Sequence, residues 1–508
     1  MSSLEEQVER ELHFLQGRWL QDIPLDRTVL LCVLVLLTAV VLATSLSIWR
    51  FFSSKKHPPM LPTIPLVGGM VKFAADPIGL MSTGHKLCGD VFSVRLLHRK
   101  FTFLIGPEVS GHFFRAPEKE VSQKEVYQFN VPTFGPGVVF DVDYPVRMEQ
   151  FRFLVDGLKQ VKLRSYVADM VREAEAHFAK WGVEGVIDLK KDLADLIIAT
   201  ASRTLLGREA REQMFEKVSD LLHDLDQGML PISFFFPYLP IPAHKKRDEA
   251  NKELRRLFSR VITNRRAANI SENDLLQTFI EATYKSSGRH LTDGEITGLL
   301  IAALFAGQHT SSVTSLWVSA HLCSEPKWLA RVVEEQKRII AEHGAALNFD
   351  VLSKMDDLHL VIKETLRLHP PLMMLMRYVH SDFTVTTAEG TSYVIPKGHV
   401  IVTSPYYAHR LERIYRDPLS FDPERFAPGR EEDKVGGAFS YIAFGGGRHG
   451  CLGENFGYMQ IKAIWSILIR NFELELVSSF PGSDFRSFVV GPTGSCAFRY
   501  KRRATPLA

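Results

Sequence analysis

Hydrophobic and polar positions alternate along this chain in distinct registers, and each change of register marks an element. Thr28 to Trp49 is a run of 22 residues without a charge. As a helix it is about 33 Å long, enough to cross a hydrocarbon core of about 30 Å. It begins too far from the terminus, and runs too long, for a cleaved signal peptide. The lead-in is rich in acids (Glu5, Glu6, Glu9, Glu11, Asp22, Asp26), while Arg50, Lys55 and Lys56 follow the run. The positive-inside rule therefore sets the bulk of the chain in the cytosol. His57 to Pro65 then carries four prolines, which fix φ and bias their predecessors to extended backbone, so a stiff hinge is expected there.

From Val67 onward the helical period dominates. It predicts helices at Glu149–Tyr166, Ala168–Trp181, Lys190–Leu205, Asp248–Ala268, Lys327–Glu342, Asp356–Leu368 and Glu454–Ile469. Thr292–Leu322 reads as one very long helix, opened by a capping box of Thr292 with Glu295 three residues on. Strand-like pieces are Val91–Leu97, Phe101–Ile105, Phe383–Thr386, Tyr393–Ile395 and Val400–Val402, with more strand expected between Glu473 and Tyr500. The expected organisation is an N-terminal lumenal segment 1–27, a transmembrane helix 28–49, a proline-rich hinge 50–66, and one mainly α domain with small β-sheets over 67–508.

The 508 residues are 45% hydrophobic, ample for a large core. A net charge of only +3 leaves no nucleic-acid footprint. The five cysteines are odd in number, scattered, and without a C-x-x-C pair. That argues against a disulfide framework or a zinc site and fits a reducing compartment.

One of these cysteines carries the chemistry. Cys451 ends the segment Phe444-Gly445-Gly446-Gly447-Arg448-His449-Gly450-Cys451, just before the helix from Glu454. Glycines let backbone approach a bulky planar ligand closely. A cysteine thiolate is one of the few protein ligands for haem iron, where it favours O–O cleavage. A lone buried cysteine beside a turn is usually inert packing. The pattern F-x-x-G-x-(Arg or His)-x-C-x-G, with five fixed positions, resembles the haem loop of the cytochrome P-450 superfamily.

The resemblance covers essentially Pro58 to Arg503 and implies the cytochrome P-450 fold with haem b held by the Cys451 thiolate. It implies that Glu364, Arg367 and Arg425 form a buried triad that braces the haem loop. In the long helix it makes Gly307 room for dioxygen, and Thr310 the hydroxyl that passes a proton inward. His309 stands where most of the superfamily has an acid, a change shared by the sterol 14α-demethylase branch. In that branch the histidine pairs with an acid from another helix, here Asp224 or Asp226. The run Val126 to Asp141 is similar to the branch's first substrate-recognition loop, with Phe129, Phe134 and Phe140 facing substrate. Ala306, Leu375 and Met376 form further wall. Phe444 and Gly445 meet the cofactor, and Tyr127, Arg152, Arg377 and His449 are the candidates for its propionates. A tyrosine common in animal members is Phe140 here.

The implied reaction is oxidative removal of a sterol 14α-methyl group. Phe129 matches the plant type, which favours 4-monomethyl sterols such as obtusifoliol. No nucleotide-binding glycine motif follows a strand, so electrons are expected from an NADPH-dependent flavoprotein reductase, with dioxygen as co-substrate. The expected setting is a monomer in the endoplasmic reticulum membrane, in contact with its lipid and facing the cytosol. Other readings are a monooxygenase of another lipid, a haem-thiolate isomerase, or a haem-binding sterol sensor without turnover.

Overall fold

The computed structural model describes residues 31–35, 38, 56–64 and 67–507. The expected segment 1–27 and most of the expected transmembrane helix lie outside these residues. Within 28–49, residues 31–35 and 38 are helical and exposed. The hinge residues 56–64 are non-helical, as the prolines require. Two hydrogen bonds lash them to the domain, Ser93 N–H to Pro59 O and Leu61 N–H to Ser93 O, both 2.8 Å.

Eight helices set the site: α1 (Tyr144–Gly157), α2 (Gln160–Phe178), α3 (Leu189–Ala201), α4 (Phe215–Gln227), α5 (Pro242–Ala268), α6 (Asp293–Ser324), α7 (Asp356–Leu368) and α8 (Glu454–Asn471). The capping box that opens α6 is formed. Glu295 N–H donates to Thr292 Oγ1 at 3.2 Å, and Thr292 N–H donates to Glu295 Oε2 at 2.8 Å. Helix α6 runs through the middle of the largest core, with α3 and α5 packed against it and α2 against α8. Leu193 and Ile197, Leu254 and Phe258, Leu299 and Leu304, and Ile464 and Trp465 are among its members. Trp465 Nε1 donates to Ser315 Oγ at 3.0 Å, tying α8 to α6 without leaving a buried polar group open.

One expected helix is two. Glu149–Tyr166 breaks at Leu158 and Lys159, and α2 continues past the break expected near Val167. The break follows from packing. A Cβ on Gly157 would stand 2.2 Å from Leu275 Cδ1, so only glycine lets the end of α1 approach that leucine. Tyr166 then donates its hydroxyl to Gly157 O at 3.0 Å, closing the corner.

A second core lies under a five-stranded sheet of order β1-β2-β5-β4-β3: β1 (Val91–Leu96), β2 (Arg99–Leu104), β3 (Val121–Ser122), β4 (Leu375–Val379) and β5 (Val400–Thr403). All neighbours are antiparallel except β2 and β5. The expected pieces Phe383–Thr386 and Tyr393–Ile395 pair as a hairpin, the second beginning one residue earlier at Ser392. In the tail, Ala497–Arg502 pairs with Phe472–Leu476 and with Glu184–Asp188, a strand the sequence pattern had not shown.

Candidate active site

Between α6, the start of α8, the sheet and the loop 126–141 lies a largely apolar cavity of about 920 Å³. Cys451 lines it, and so do Ala306, Gly307, His309 and Thr310 along α6. The cysteine is placed by its loop. Gly445 and Gly447 take φ of +70° and +62°, and a Cβ on Gly447 would stand 2.4 Å from Phe114 O. Cys451 N–H then donates to Phe444 O at 2.9 Å. Burial pushes the thiol up from its ordinary value, and backbone N–H groups of Gly453 and Glu454 oppose that push. These donors at a helix N-terminus favour a thiolate once a cation is bound to it.

On α6, a Cβ on Gly307 would meet no atom within 4 Å, so the helix presents open space there. The Thr310 hydroxyl donates to Ala306 O at 2.6 Å, the local bond a helix threonine makes by default. His309 meets Asp226 on α4, Nε2 to Oδ1 3.2 Å. Of the two acids left open by the sequence, Asp226 is the partner.

Phe134, Phe140 and Leu375 line the cavity, as do Tyr127, Arg377, His449, Phe444 and Gly445. Tyr127 is stacked on Phe140 at 5.2 Å, and its oxygen accepts from Met376 N–H at 3.3 Å. Burial raises its phenol and pushes the Arg377 guanidinium down to about 10. His449 Nε2 lies 3.1 Å from Glu118, which also pairs with the buried Arg147. Burial pushes His449 below its ordinary value, although Glu118 pulls the other way.

Three expected site residues are elsewhere. Arg152 turns away from the cavity, donating to Thr283 O at 3.0 Å and covering the ring of Phe153. Arg147 is instead buried, paired with Glu118 beside His449. The two arginines are five residues apart on α1, about 140° around the axis, so both cannot face one site. Met376 is buried in the core under the sheet, because on β4 Leu375 and Arg377 take the cavity side and the residue between them points the other way. Phe129 does not line the cavity. It stacks behind Phe488, which does, at 5.0 Å with planes 13° apart. Phe488 is thus a cavity residue that sequence reasoning missed, and Glu118 and Arg147 lie behind His449.

The brace beneath the loop is assembled. Glu364, Arg367 and Arg425 are all fully buried. Arg367 reaches both Glu364 oxygens, at 2.7 and 2.8 Å, and Arg425 Nε reaches Oε1 at 3.0 Å. Arg367 also donates to the carbonyls of His409 and Pro418, and Arg425 to that of Arg416. The loops that lead to Cys451 are therefore pinned by two guanidiniums, which share Glu364, while Arg425 also pairs with Glu432.

A family model for cytochrome P450 matches residues 58–494. The chain belongs to the cytochrome P450 family. An obtusifoliol 14-alpha demethylase of Sorghum bicolor is 57% identical over 95% of this chain and 98% of its own length. A sterol 14-demethylase of Arabidopsis thaliana is 59% identical over 90% and 94%, and a lanosterol 14-alpha demethylase of Homo sapiens 37% identical over 89% and 87%. These relatives place it in the sterol 14-demethylase branch. The cyanobacterial protein CYP120A1, solved with retinoic acid bound, superposes with a TM-score of 0.77 at 22% identity, over 89% of this chain and 100% of that one. That is a likeness of fold.

Cytochromes P450 are haem-thiolate monooxygenases, and the residues here fit the cofactor. His449 Nδ1 and Arg147 Nε and Nη1 are buried without a hydrogen-bond partner. Arg147 and Arg377, whose charges both act on His449, give unmatched donors and positive charge beside the cavity, suited to carboxylates. Cys451 and the open face at Gly307 line the same cavity, which has room for a flat ring.

Proposed function

We propose that this P450 removes the 14α-methyl group of a sterol precursor, obtusifoliol in preference to 4,4-dimethyl sterols. The observation that carries the reading is the pairing, in one apolar cavity, of Cys451 with the Gly307–Thr310 stretch of α6. The names of the plant relatives supply the substrate class. The methyl is oxidised in three successive monooxygenations, to alcohol, to aldehyde, and then to formate, with a 14,15 double bond left in the sterol. Each uses one dioxygen and two electrons that originate in NADPH.

Haem held by the Cys451 thiolate supplies the oxidising chemistry, the thiolate favouring O–O cleavage. The chain's residues do the rest. Arg377, Arg147, His449 and Tyr127 hold the propionate edge, in place of the expected Arg152. Glu364, Arg367 and Arg425 keep the cysteine loop in register. Phe134, Phe140 and Leu375 exclude water and lay the sterol along α6. The Thr310 hydroxyl, released from Ala306 O by rotation about χ1, delivers a proton inward, since threonine has two accessible rotamers in a helix. His309 passes protons between Thr310 and Asp226, and their 3.2 Å contact couples movement of α4 against α6 to substrate entry.

The 4-methyl preference is assigned to a two-ring wall. Phe488 faces the cavity, and Phe129, buried between Phe488 and Phe234, prevents it from yielding. A second methyl has no room, and a misfit of that size is worth about 1–3 kcal/mol, or roughly 10- to 200-fold.

The electron donor is an NADPH-dependent flavoprotein reductase. Residues 28–49 anchor a monomer in the endoplasmic reticulum membrane with the 67–508 domain in the cytosol; residues 1–27 are lumenal and 50–66 form the hinge. The test is a spectral titration of the purified protein with obtusifoliol, lanosterol and a long-chain fatty acid. Tightest binding by obtusifoliol supports the reading. A response to the fatty acid alone points to a monooxygenase of another lipid and overturns it.

A further inference from the structure

The loop that walls the cavity holds a conformation its sequence disfavours. Val139 has φ +51°, beyond Gly135 at +95° and Gly137 at +80°. The glycines adopt such angles freely, whereas a β-branched residue does not. Val139 is nonetheless 5% exposed, and it and Phe140 face the cavity. Something must hold it there.

That something is one side chain on α1. Gln150 is fully buried. Its Oε1 accepts the Val139 N–H at 2.8 Å, and its Nε2 donates to Gly137 O at 2.9 Å and to the Tyr284 hydroxyl at 2.9 Å. The two loop bonds require opposite ends of the amide, which settles its orientation. The Tyr284 hydroxyl donates in turn to Glu295 Oε1 at 3.0 Å, the carboxylate that caps α6. A continuous chain of hydrogen bonds therefore runs from the strained loop residue to the start of the helix that carries Gly307 and Thr310. A glutamine satisfying only its own amide would need no contact on both sides of a left-handed valine.

We propose that Gln150 is a positioning residue that clamps Val139 in its left-handed conformation and so fixes the cavity wall against which an extended apolar ligand lies, with Tyr284 registering that wall to the start of α6. The proposal rests on the active-site reading of this cavity but not on which lipid is the substrate. The role is distinct from catalysis, because Gln150 acts through the Val139 and Gly137 backbone.

The test uses the full-length, haem-replete protein and two probes, imidazole and 1-dodecylimidazole, whose tail must run along the wall. In Gln150→Leu the dissociation constant for 1-dodecylimidazole rises about tenfold while that for imidazole stays within about twofold, as expected when buried hydrogen bonds that set shape are lost. Amide exchange across residues 135–141, read without any ligand, accelerates by about tenfold or more. In a Val139→Gly background the Gln150→Leu penalty shrinks to less than about twofold, because glycine needs no clamp. Tyr284→Phe, which removes one hydroxyl, covers the case in which Gln150→Leu does not fold, and raises the 1-dodecylimidazole constant about threefold. Unchanged exchange across 135–141, an equal loss for both imidazoles, or an undiminished penalty in the Val139→Gly background overturns the clamp. Failure of the wild type to bind either imidazole at its iron counts against the active-site reading instead, and the exchange measurement still decides the clamp.

Discussion

Acid should loosen the cysteine loop through His409. This histidine is fully buried between the brace and the loop. Its Nε2 accepts the Ile442 N–H at 2.8 Å, so its Nδ1 carries the proton and donates to Arg367 O at 3.2 Å. Both ring nitrogens are thus committed to the neutral form. Burial first, and then the Arg367 charge, push the imidazole down to about 3. A depressed histidine contributes stability in full above its unfolded value near 6.5 and loses it as pH falls from there toward 3. Between pH 7 and pH 5 the linkage amounts to about 2 kcal/mol. His321, held down at about 3, and His359 and His399, at about 4, add to the same acid loss. The variant His409→Gln isolates one share, because glutamine can accept from Ile442 and donate to Arg367 without titrating. Urea unfolding followed at the thiolate-haem absorbance should lose about 2 kcal/mol less between pH 7 and pH 5 in the variant than in wild type. An identical pH dependence in the two proteins would refute the reasoning.

Three further outcomes follow from the site. Glu364→Gln leaves Arg367 and Arg425 without their shared carboxylate and should cost about 3–5 kcal/mol, read as haem loss in the purified protein; a variant with full haem content contradicts the brace. Thr310→Ala should keep substrate binding but lower product per NADPH by about tenfold or more, with peroxide released in its place; unchanged coupling removes the proton-delivery role. Phe488→Leu and Phe129→Leu should each shift the obtusifoliol-to-lanosterol preference toward lanosterol by roughly tenfold, and competition assays that show no shift dismiss the two-ring wall.

What could be read from the chain divides along local and non-local lines. The Cys451 loop and the Thr292–Glu295 cap are local patterns, with every participant within a few residues, and both were legible. Glu364 and Arg367 share a helix face by spacing alone, while Arg425 entered only through the family resemblance. The choice between Asp224 and Asp226 was closed to the sequence, because residues two apart on a helix point about 160° apart and only the docking of α4 on α6 says which faces His309. Arg147 and Arg152 pose the same problem of phase on α1: the family position named Arg152, which turns to Thr283 instead. Met376 was within reach. Once Arg377 is assigned to the cavity, strand alternation sends its neighbour to the other face. The break after Gly157 depends on Leu275, more than a hundred residues later, and the strand Glu184–Asp188 exists only through its pairing with the tail.

The central claim is three-step removal of a sterol methyl in this cavity. Its most direct measurement is the stoichiometry of formate released from obtusifoliol by the purified protein supplied with NADPH and a flavoprotein reductase. The account predicts one formate per 14-demethylated sterol and three NADPH consumed for each, with both lost in Cys451→Ala. Hydroxylated sterol as the sole product, or formate formation that survives Cys451→Ala, would contradict it.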